Sequence, residues 1–316
     1  MPERFVVTGA AGFIGAATVS RLLASGHQVT GIDCFLDAYP RSVKQRRIRA
    51  FIDAPGFELA EADLCSADLK GLLFDCACVF HLAAQAGVRL SWGPNFADYS
   101  RNNIVATERI LEAATAAGVP RFVYSSSSSV YGDAPIRPTT EAAPTLPVSP
   151  YGVTKLAGEH LCRLYARSSD IDCVCLRYFT VYGHHPRPDQ AVGSFVDAIR
   201  KGEAITVFGD GRQRREMTFV EDVVDANILA ASRSTTQQVF NIGGGSTASV
   251  GELISWLEEM IGRRANVRTE DQAAGDVRDT EADCSLAAQE LGWHPSTGIR
   301  EGLELTVRSM RENSEG

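Results

Sequence analysis

The first 33 residues constrain this chain most. A strand-like run, RFVVT at 4–8, leads directly into GAAGFIG, and an apolar-periodic helical segment follows through Leu22 and Leu23. Gly9, Gly12 and Gly15 then supply a tight turn, close approach of backbone to a pyrophosphate, and close packing of helix on strand, with the helix N-terminus facing the phosphates. The spacing is GxxGxxG in place of the commoner GxGxxG. A second strand, QVTGID, ends at Asp33, where a carboxylate accepts hydrogen bonds from an adenosine ribose and repels a 2′-phosphate, which favours NAD over NADP. Strand, glycine turn, helix, strand and acid in this order call for a parallel sheet wound with helices on both faces.

The alternation continues. FELAEAD ends at Asp63, CVFHLAA opens into a loop, and a helical pattern runs from about Tyr99 to Ala117. The strand RFVYS, a serine run and a proline-rich loop precede a helix beginning near Tyr151, and the strand DCVCLRY closes the regular pattern near Tyr178. Beyond it come short strands, helices and arginine-bearing loops. Val220 to Ala231 and Val239 to Ile242 look like a return to the first domain. The expected fold is therefore α/β, a doubly wound parallel sheet with a smaller mixed α/β C-terminal substrate domain. Residues 1–178, with 218–245 returning to them, form the dinucleotide-binding domain, and 179–217 with 246–316 the substrate-binding one. The tail from Arg311 is expected to fray.

Composition narrows the partners. The net charge is −8 and the basic residues form no long run, which argues against nucleic acid and acidic membrane surfaces. No apolar run approaches the roughly 20 residues of a membrane span and the N-terminus carries no signal peptide pattern, so the cytoplasm is expected. The eight cysteines include no CxxC and no zinc spacing; they read as reduced packing residues. The cluster Arg41, Lys44, Arg46, Arg47 and Arg49 reads as a solvated helix face.

The chemistry-bearing stretch is SPYGVTK, Ser149 to Lys155, with SSSSS at 125–129 upstream. Tyr151 and Lys155 stand one helical turn apart on one face. Lowering a phenol from about 10 to roughly 6–7 requires about 4–5 kcal/mol of phenolate stabilisation. One ammonium about 5 Å away supplies on the order of 3 kcal/mol at an effective dielectric near 20, and a cationic nicotinamide the remainder. The serines add a hydroxyl able to share a proton with a substrate oxygen. On the same helix Val153, Leu156, Ala157, His160, Leu161 and Leu164 form an apolar stripe opposite the pair. That stripe fits either a homodimer contact with the 99–117 helix or burial within the monomer, with His160 a core residue.

TGAAGFIG, Asp33, the DL of Asp63 and Leu64, HLAA, the serines before VYG, YGVTK and RYFTVYG occur in that order. As a set they resemble the extended short-chain dehydrogenase/reductase family, in particular its NAD-dependent nucleotide-sugar epimerases and dehydratases, over nearly the whole chain. The resemblance implies a Rossmann domain, NAD, and Ser127, Tyr151 and Lys155 as catalytic triad with Ser126 close by. It implies that Asn103 braces the site and that Phe13, Ile14, Leu82, Ala83, Ala84 and Tyr178 line the cofactor. Phe208 would lie by the uracil of a UDP-sugar, and Arg215 and Arg278 at its pyrophosphate.

Dehydratase relatives place an Asp-Glu pair before VYG, and decarboxylating ones a Glu; this chain has Ser128 and Ser129. Elimination then lacks an acid, and 4-epimerisation leads. AGVRLSW and RYFTVYGHHPRPD look most like UDP-glucuronate 4-epimerases, with Arg89, Arg187, Thr180 and the serine run, Ser128 included, placed for a sugar carboxylate. His184 and His185 replace a Pro-containing turn of relatives, and Ala273 a phosphate-binding arginine. A neutral UDP-sugar 4-epimerase (for UDP-glucose or UDP-N-acetylglucosamine), a UDP-glucuronate decarboxylase and a catalytically silent NAD-dependent sensor stay open.

Overall fold

The computed structural model describes residues 2–271 and 275–315, so Ala273 lies outside the described residues. In chain order the first elements are β1 (Arg4–Thr8), α1 (Phe13–Ala24), β2 (Gln28–Asp33), α2 (Arg41–Ile48), β3 (Phe57–Glu61), β4 (Cys78–His81), α3 (Phe96–Ser100), α4 (Ala106–Ala116), β5 (Arg121–Ser127), α5 (Pro150–Ser168) and β6 (Asp172–Tyr178). There follow β7 (Thr180–Tyr182), α6 (Ala191–Lys201), β8 (Ala204–Phe208), β9 (Arg214–Phe219), α7 (Val220–Ser232), β10 (Val239–Ile242), β11 (Thr247–Ser249), α8 (Val250–Ile261), β12 (Asn266–Glu270), α9 (Ser285–Glu290) and α10 (Ile299–Glu315).

Seven strands form one sheet in the order β10-β6-β5-β4-β1-β2-β3, every neighbouring pair parallel. The inner strands β1, β4, β5 and β6 are buried on both faces and read as largely apolar runs, while the edge strand β3, FELAE, is partly exposed. The period of two still divides their side chains: Phe5, Val7, Cys78, Phe80 and Val123 enter one core layer, while Val6, Val79, Phe122 and Tyr124 enter the other. The winding reverses between β1 and β4, and the crevice beyond their C-terminal ends is where such sheets bind ligands. The expected α/β fold is the observed one, and β10 pairs with β6 after the chain has passed through β7 to β9.

Two smaller sheets, β11-β9-β7 and β12-β8, accompany a separate core in which Phe195, Ile199, Leu253, Leu257 and Leu303 pack together. The chain is stitched across these regions. The Trp293 indole, 1% exposed in the core of the large sheet, donates to the Asp222 carbonyl at 2.8 Å, and the Asp222 carboxylate accepts from Ser296 and from the Thr297 N–H.

Three sequence expectations change. The helix over 99–117 begins at 96 and contains a π-helical segment, Arg101–Val105, between α3 and α4. His160 is exposed rather than a core residue, and Val153 and Leu164 beside it are exposed too; the buried face of α5 is Gly152, Thr154, Lys155, Gly158, Glu159 and Cys162. Gly152 and Gly158 there admit the neighbouring chain closely, Leu156 and Leu161 are half-buried against the core, and Val153 and Leu164 fall on the outer face. Nor is the basic helix α2 solvated throughout, because Lys44 and Arg47 are buried. All eight cysteines are free thiols, five of them buried. Among the described residues no helix is long and apolar enough to cross a membrane.

Candidate active site

A cleft of about 490 Å³ runs over the C-terminal ends of the large sheet, within the usual range for small-molecule sites. One end is lined by Gly9, Gly12, Phe13, Ile14, Gly15, Asp33, Asp63 and Leu64, the middle by Leu82, Ala83, Ala84, Tyr178 and residues 125–129, and the other end by Thr180, Arg187 and Arg215.

The glycine turn is built for close approach. Gly9 has φ +69, and a Cβ there would come within 2.8 Å of the Ala83 nitrogen; a Cβ on Gly15 would meet the Gly9 carbonyl at 2.0 Å. Helix α1 starts after Gly12 with no side-chain cap, so its first N–H groups are open to an anion. Asp33 is fixed by the Ala11 N–H (3.1 Å), the Phe35 N–H (2.7 Å) and the Lys44 ammonium (3.0 Å). An uncapped helix start, a cradle that admits no side chain and a secured carboxylate fit the pyrophosphate and ribose of NAD.

Tyr151 and Lys155 lie on the first two turns of α5, which Ser149 caps by accepting from the Gly152 N–H at 3.1 Å. Gly152 lets the helix meet the serine run, since a Cβ there would lie 2.5 Å from the Ser129 carbonyl. Lys155 Nζ donates to the Ser125 carbonyl at 2.7 Å, and burial lowers its pKa to about 7. At Tyr151 the protein's own groups oppose one another. Burial pushes it above its ordinary 10, and the groups drawing it back down are the Arg187 charge and a hydrogen bond with Ser127. Lys155 turns its ammonium to a backbone carbonyl, and the Arg187 charge favours the phenolate.

Ser127, at the end of β5, donates to Ser129 Oγ and accepts from the Ser129 N–H, both at 3.1 Å. Ser126 borders the cleft, but its hydroxyl is committed to Glu159 Oε1 at 2.5 Å, which makes it a strut and not a proton relay. Glu159 in turn forms a two-point ion pair with Arg177 at 2.8 and 2.7 Å. Asn103, expected at the cofactor, is 1% exposed and spends its amide on the Gln85 N–H (2.7 Å), the Gln85 carbonyl (3.0 Å) and Thr154 (2.9 Å). It holds the loop after β4 to α5. Tyr178 donates to Asn227 at 2.6 Å, and Asp63 pairs with Arg101 at 2.5 Å.

At the sugar end Arg187 makes a two-point ion pair with Asp189 at 3.0 and 2.9 Å. Arg215 donates to the carbonyls of Arg278 (2.7 Å) and Val277 (2.6 Å), so Arg278 contributes its backbone while its own side chain is exposed. Arg89, expected beside Arg187, instead stacks 3.9 Å over the Phe208 ring and pairs with Asp276 at 2.8 Å. Arg89, Phe208 and Arg278 are absent from the cleft lining. Asp276 lies in an irregular segment with no sequence pattern, which explains why its claim on Arg89 was not foreseen. Glu159 was also missed, although it lies four residues beyond Lys155 on the same helix face. Asp189 was missed as well, two residues past Arg187. No metal-binding cluster is found among the described residues.

Fold and cleft define a dinucleotide-dependent enzyme with a tyrosine, a lysine and a serine at the junction of its cofactor and substrate ends. The chain belongs to the NAD dependent epimerase/dehydratase family, whose model matches residues 5–243. It is 40% identical over 302 residues to an uncharacterised UDP-glucose epimerase of Bacillus subtilis (strain 168), covering 95% of each chain. To the UDP-glucose 4-epimerase of Mycolicibacterium smegmatis (strain ATCC 700084 / mc(2)155) it is 38% identical, over 99% of this chain and all of that one. The crystal structure of UDP-glucuronic acid 4-epimerase from Bacillus cereus, in complex with UDP-glucuronic acid and NAD, superposes with a TM-score of 0.94 at 38% identity, covering 98% of this chain and 99% of that chain. The cofactor is NAD, and the chain is an NAD-dependent enzyme of the nucleotide-sugar 4-epimerase class.

Proposed function

We propose that the protein interconverts UDP-glucuronate and UDP-galacturonate by epimerisation at C4. The observation that carries this reading is Arg187, a cation lining the same cleft as Ser127, Tyr151 and Thr180 and acting electrostatically on Tyr151. A guanidinium there suits a carboxylate on the sugar ring better than a hydroxymethyl group.

Tyr151 takes the proton of the sugar 4-hydroxyl, relayed through Ser127, and gives it back at the end of the cycle. NAD, when bound, supplies the hydride acceptor and donor for C4 and a positive charge beside the phenol. Lys155 holds the cofactor ribose. Gly9, Gly12, Phe13, Ile14, Gly15, Asp33, Asp63, Leu64, Leu82, Ala83, Ala84 and Tyr178 form the rest of the cofactor wall, and Arg215 holds the sugar's pyrophosphate. Between proton removal and return the sugar turns over about that pyrophosphate, so the grip on the nucleotide is firm and that on the sugar loose. The 4-keto form of a glucuronate is a β-keto acid that loses carbon dioxide once its C5–C6 bond aligns with the ketone. Arg187, Thr180 and Ser128 keep that bond out of alignment. The serine pair 128–129, in place of carboxylates, leaves elimination without an acid.

The test is turnover of UDP-glucuronate and UDP-glucose by the parent and by Arg187→Ala. Loss of a charge-assisted hydrogen-bonded pair is worth about 1.5–3 kcal/mol, so kcat/KM on the acid should fall roughly 10- to 150-fold and on UDP-glucose by much less. Equal losses on both would remove the carboxylate role. A second reading, a UDP-glucose 4-epimerase, draws on the Arg187–Asp189 pair, which already balances the guanidinium and spares a neutral sugar an unpaired charge; preference of the parent for UDP-glucose would establish it. We also infer a homodimer through the outer face of α5 with α4, where Val105, Val153 and Leu164 are 47%, 46% and 60% exposed.

A further inference from the structure

Helix α2 was expected to be a solvated basic surface, yet Arg47 is only 6% exposed. Its guanidinium donates to the His185 carbonyl from Nε at 2.9 Å and to the Pro186 carbonyl from Nη2 at 2.9 Å. From Nη1 it reaches the Tyr39 hydroxyl at 2.8 Å and the Ala11 carbonyl at 3.5 Å. These partners are carbonyls and a phenol, not a carboxylate. Burying a cation against neutral dipoles alone is expensive, and burial accordingly lowers the pKa of this arginine. Such a group persists where its geometry is needed.

The two carbonyls it holds belong to the residues immediately before Arg187. His185 has φ +53, a left-handed conformation uncommon for a residue with a side chain, and the hydrogen bond to its carbonyl helps hold it there. On the far side the Arg187 N–H donates to Gln190 Oε1 at 3.1 Å, and Gln190 reaches back to the Val181 carbonyl at 3.3 Å. Arg187 thus hangs between two anchors, and one of them comes from the cofactor-binding half of the molecule. The same helix sends Lys44 to Asp33, Asp33 receives the Ala11 N–H, and the Ala11 carbonyl accepts from Arg47.

We propose that Arg47 is a positioning residue for the acid-binding Arg187: by pinning the backbone at 185–186 from helix α2, it sets the selectivity for a C6 carboxylate over a C6 hydroxymethyl group. Arg47 does not line the cleft, so it acts through the loop and not on the sugar. This rests on the reading that Arg187 meets the sugar carboxylate.

The experiment compares the NAD-loaded parent with Arg47→Met, Arg47→Lys, Arg47→Gln and Arg187→Met, measuring Kd for UDP-glucuronate and UDP-glucose by titration calorimetry, kcat on each turned-over substrate, and NAD content. Arg47→Met is expected to raise Kd for UDP-glucuronate about tenfold, as losing one to two net hydrogen bonds of alignment would, while Kd for UDP-glucose and kcat move less than about threefold. Arg47→Lys, which keeps a donor for one carbonyl, should recover part of the loss. Equal weakening of both sugars, or loss of NAD without a change in selectivity, would show a merely structural arginine and overturn the proposal. A selective defect in Arg187→Met with none in the Arg47 variants would sink this inference and leave the substrate reading standing. No selectivity change in Arg187→Met would remove both. If Arg47→Met does not fold, Arg47→Lys and Arg47→Gln carry the comparison, with Gln expected the more selective loss.

Discussion

Glu159→Gln isolates the buried ion pair beneath the serine run. Glu159 and Arg177 are 1% and 2% exposed at their side chains, with both carboxylate oxygens engaged by the guanidinium. The substitution keeps the shape and removes the charge: the Gln amide oxygen still accepts one of the two Arg177 hydrogen bonds, its NH2 faces the other donor, and the Tyr131 hydroxyl at 2.8 Å is the further partner left to the buried cation. Removing one member of a buried pair costs about 3–5 kcal/mol. Unfolding entropy of about 2.1 cal/mol/K per residue over 316 residues gives roughly 0.66 kcal/mol/K, so the thermal midpoint should fall by about 5–8 °C. Differential scanning calorimetry of parent, Glu159→Gln, Arg177→Met and the double variant measures this, and the double variant should recover part of the loss because no unpaired charge remains. Ser126→Ala should cost less than Glu159→Gln, since the ion pair survives. A midpoint within 2 °C of the parent for Glu159→Gln, or strict additivity in the double variant, would refute the view that this pair is sealed from water and acts as a unit.

The ammonium of Lys155, lowered by burial from 10.5 to about 7, disfavours the folded state wherever it is charged. The penalty is complete below pH 7 and relieved as pH rises toward 10.5, because the unfolded chain binds the extra proton across that window. Lys155→Met, stripped of nucleotide like its parent, should therefore be inactive yet more stable at pH 6, with the advantage closing by pH 10; an advantage independent of pH would count against it. For the inferred dimer, Leu164→Asp combined with Val153→Asp should shift the sedimentation coefficient to that of a monomer without loss of fold, and a parent that already sediments as a monomer would dispose of the interface.

The large sheet was legible because its signals are local and repeated: a glycine turn after RFVVT, an acid at the end of QVTGID, and buried strands at regular intervals. That Tyr151, Lys155 and Ser127 meet in one cleft was legible for the same reason. Side chains whose partners come from distant segments were not. Lys44 and Arg47 look alike in a basic string, and only the arrival of Asp33 and of the 185–186 backbone distinguishes them from Arg46 and Arg49. Asn103 faces inward within a π-helical segment that no periodicity announces. Arg89 was assigned by its place in a motif, while Asp276, nearly 190 positions away, decides where its charge goes. The spacing of Tyr151 and Lys155 reports nearness along the helix, but not that the lysine's rotamer turns its ammonium to the Ser125 carbonyl.

The Trp293 fastening has a mechanical corollary. An indole from the late chain is lodged in the core of the large sheet, and Asp222 tethers Ser296 and Thr297 from both carboxylate oxygens, so the segment that leads into α10 is fastened to α7. If the proposed turn-over of the sugar takes place in the cleft of about 490 Å³ while that fastening holds, a bulkier ring substituent should slow the step more than it weakens binding.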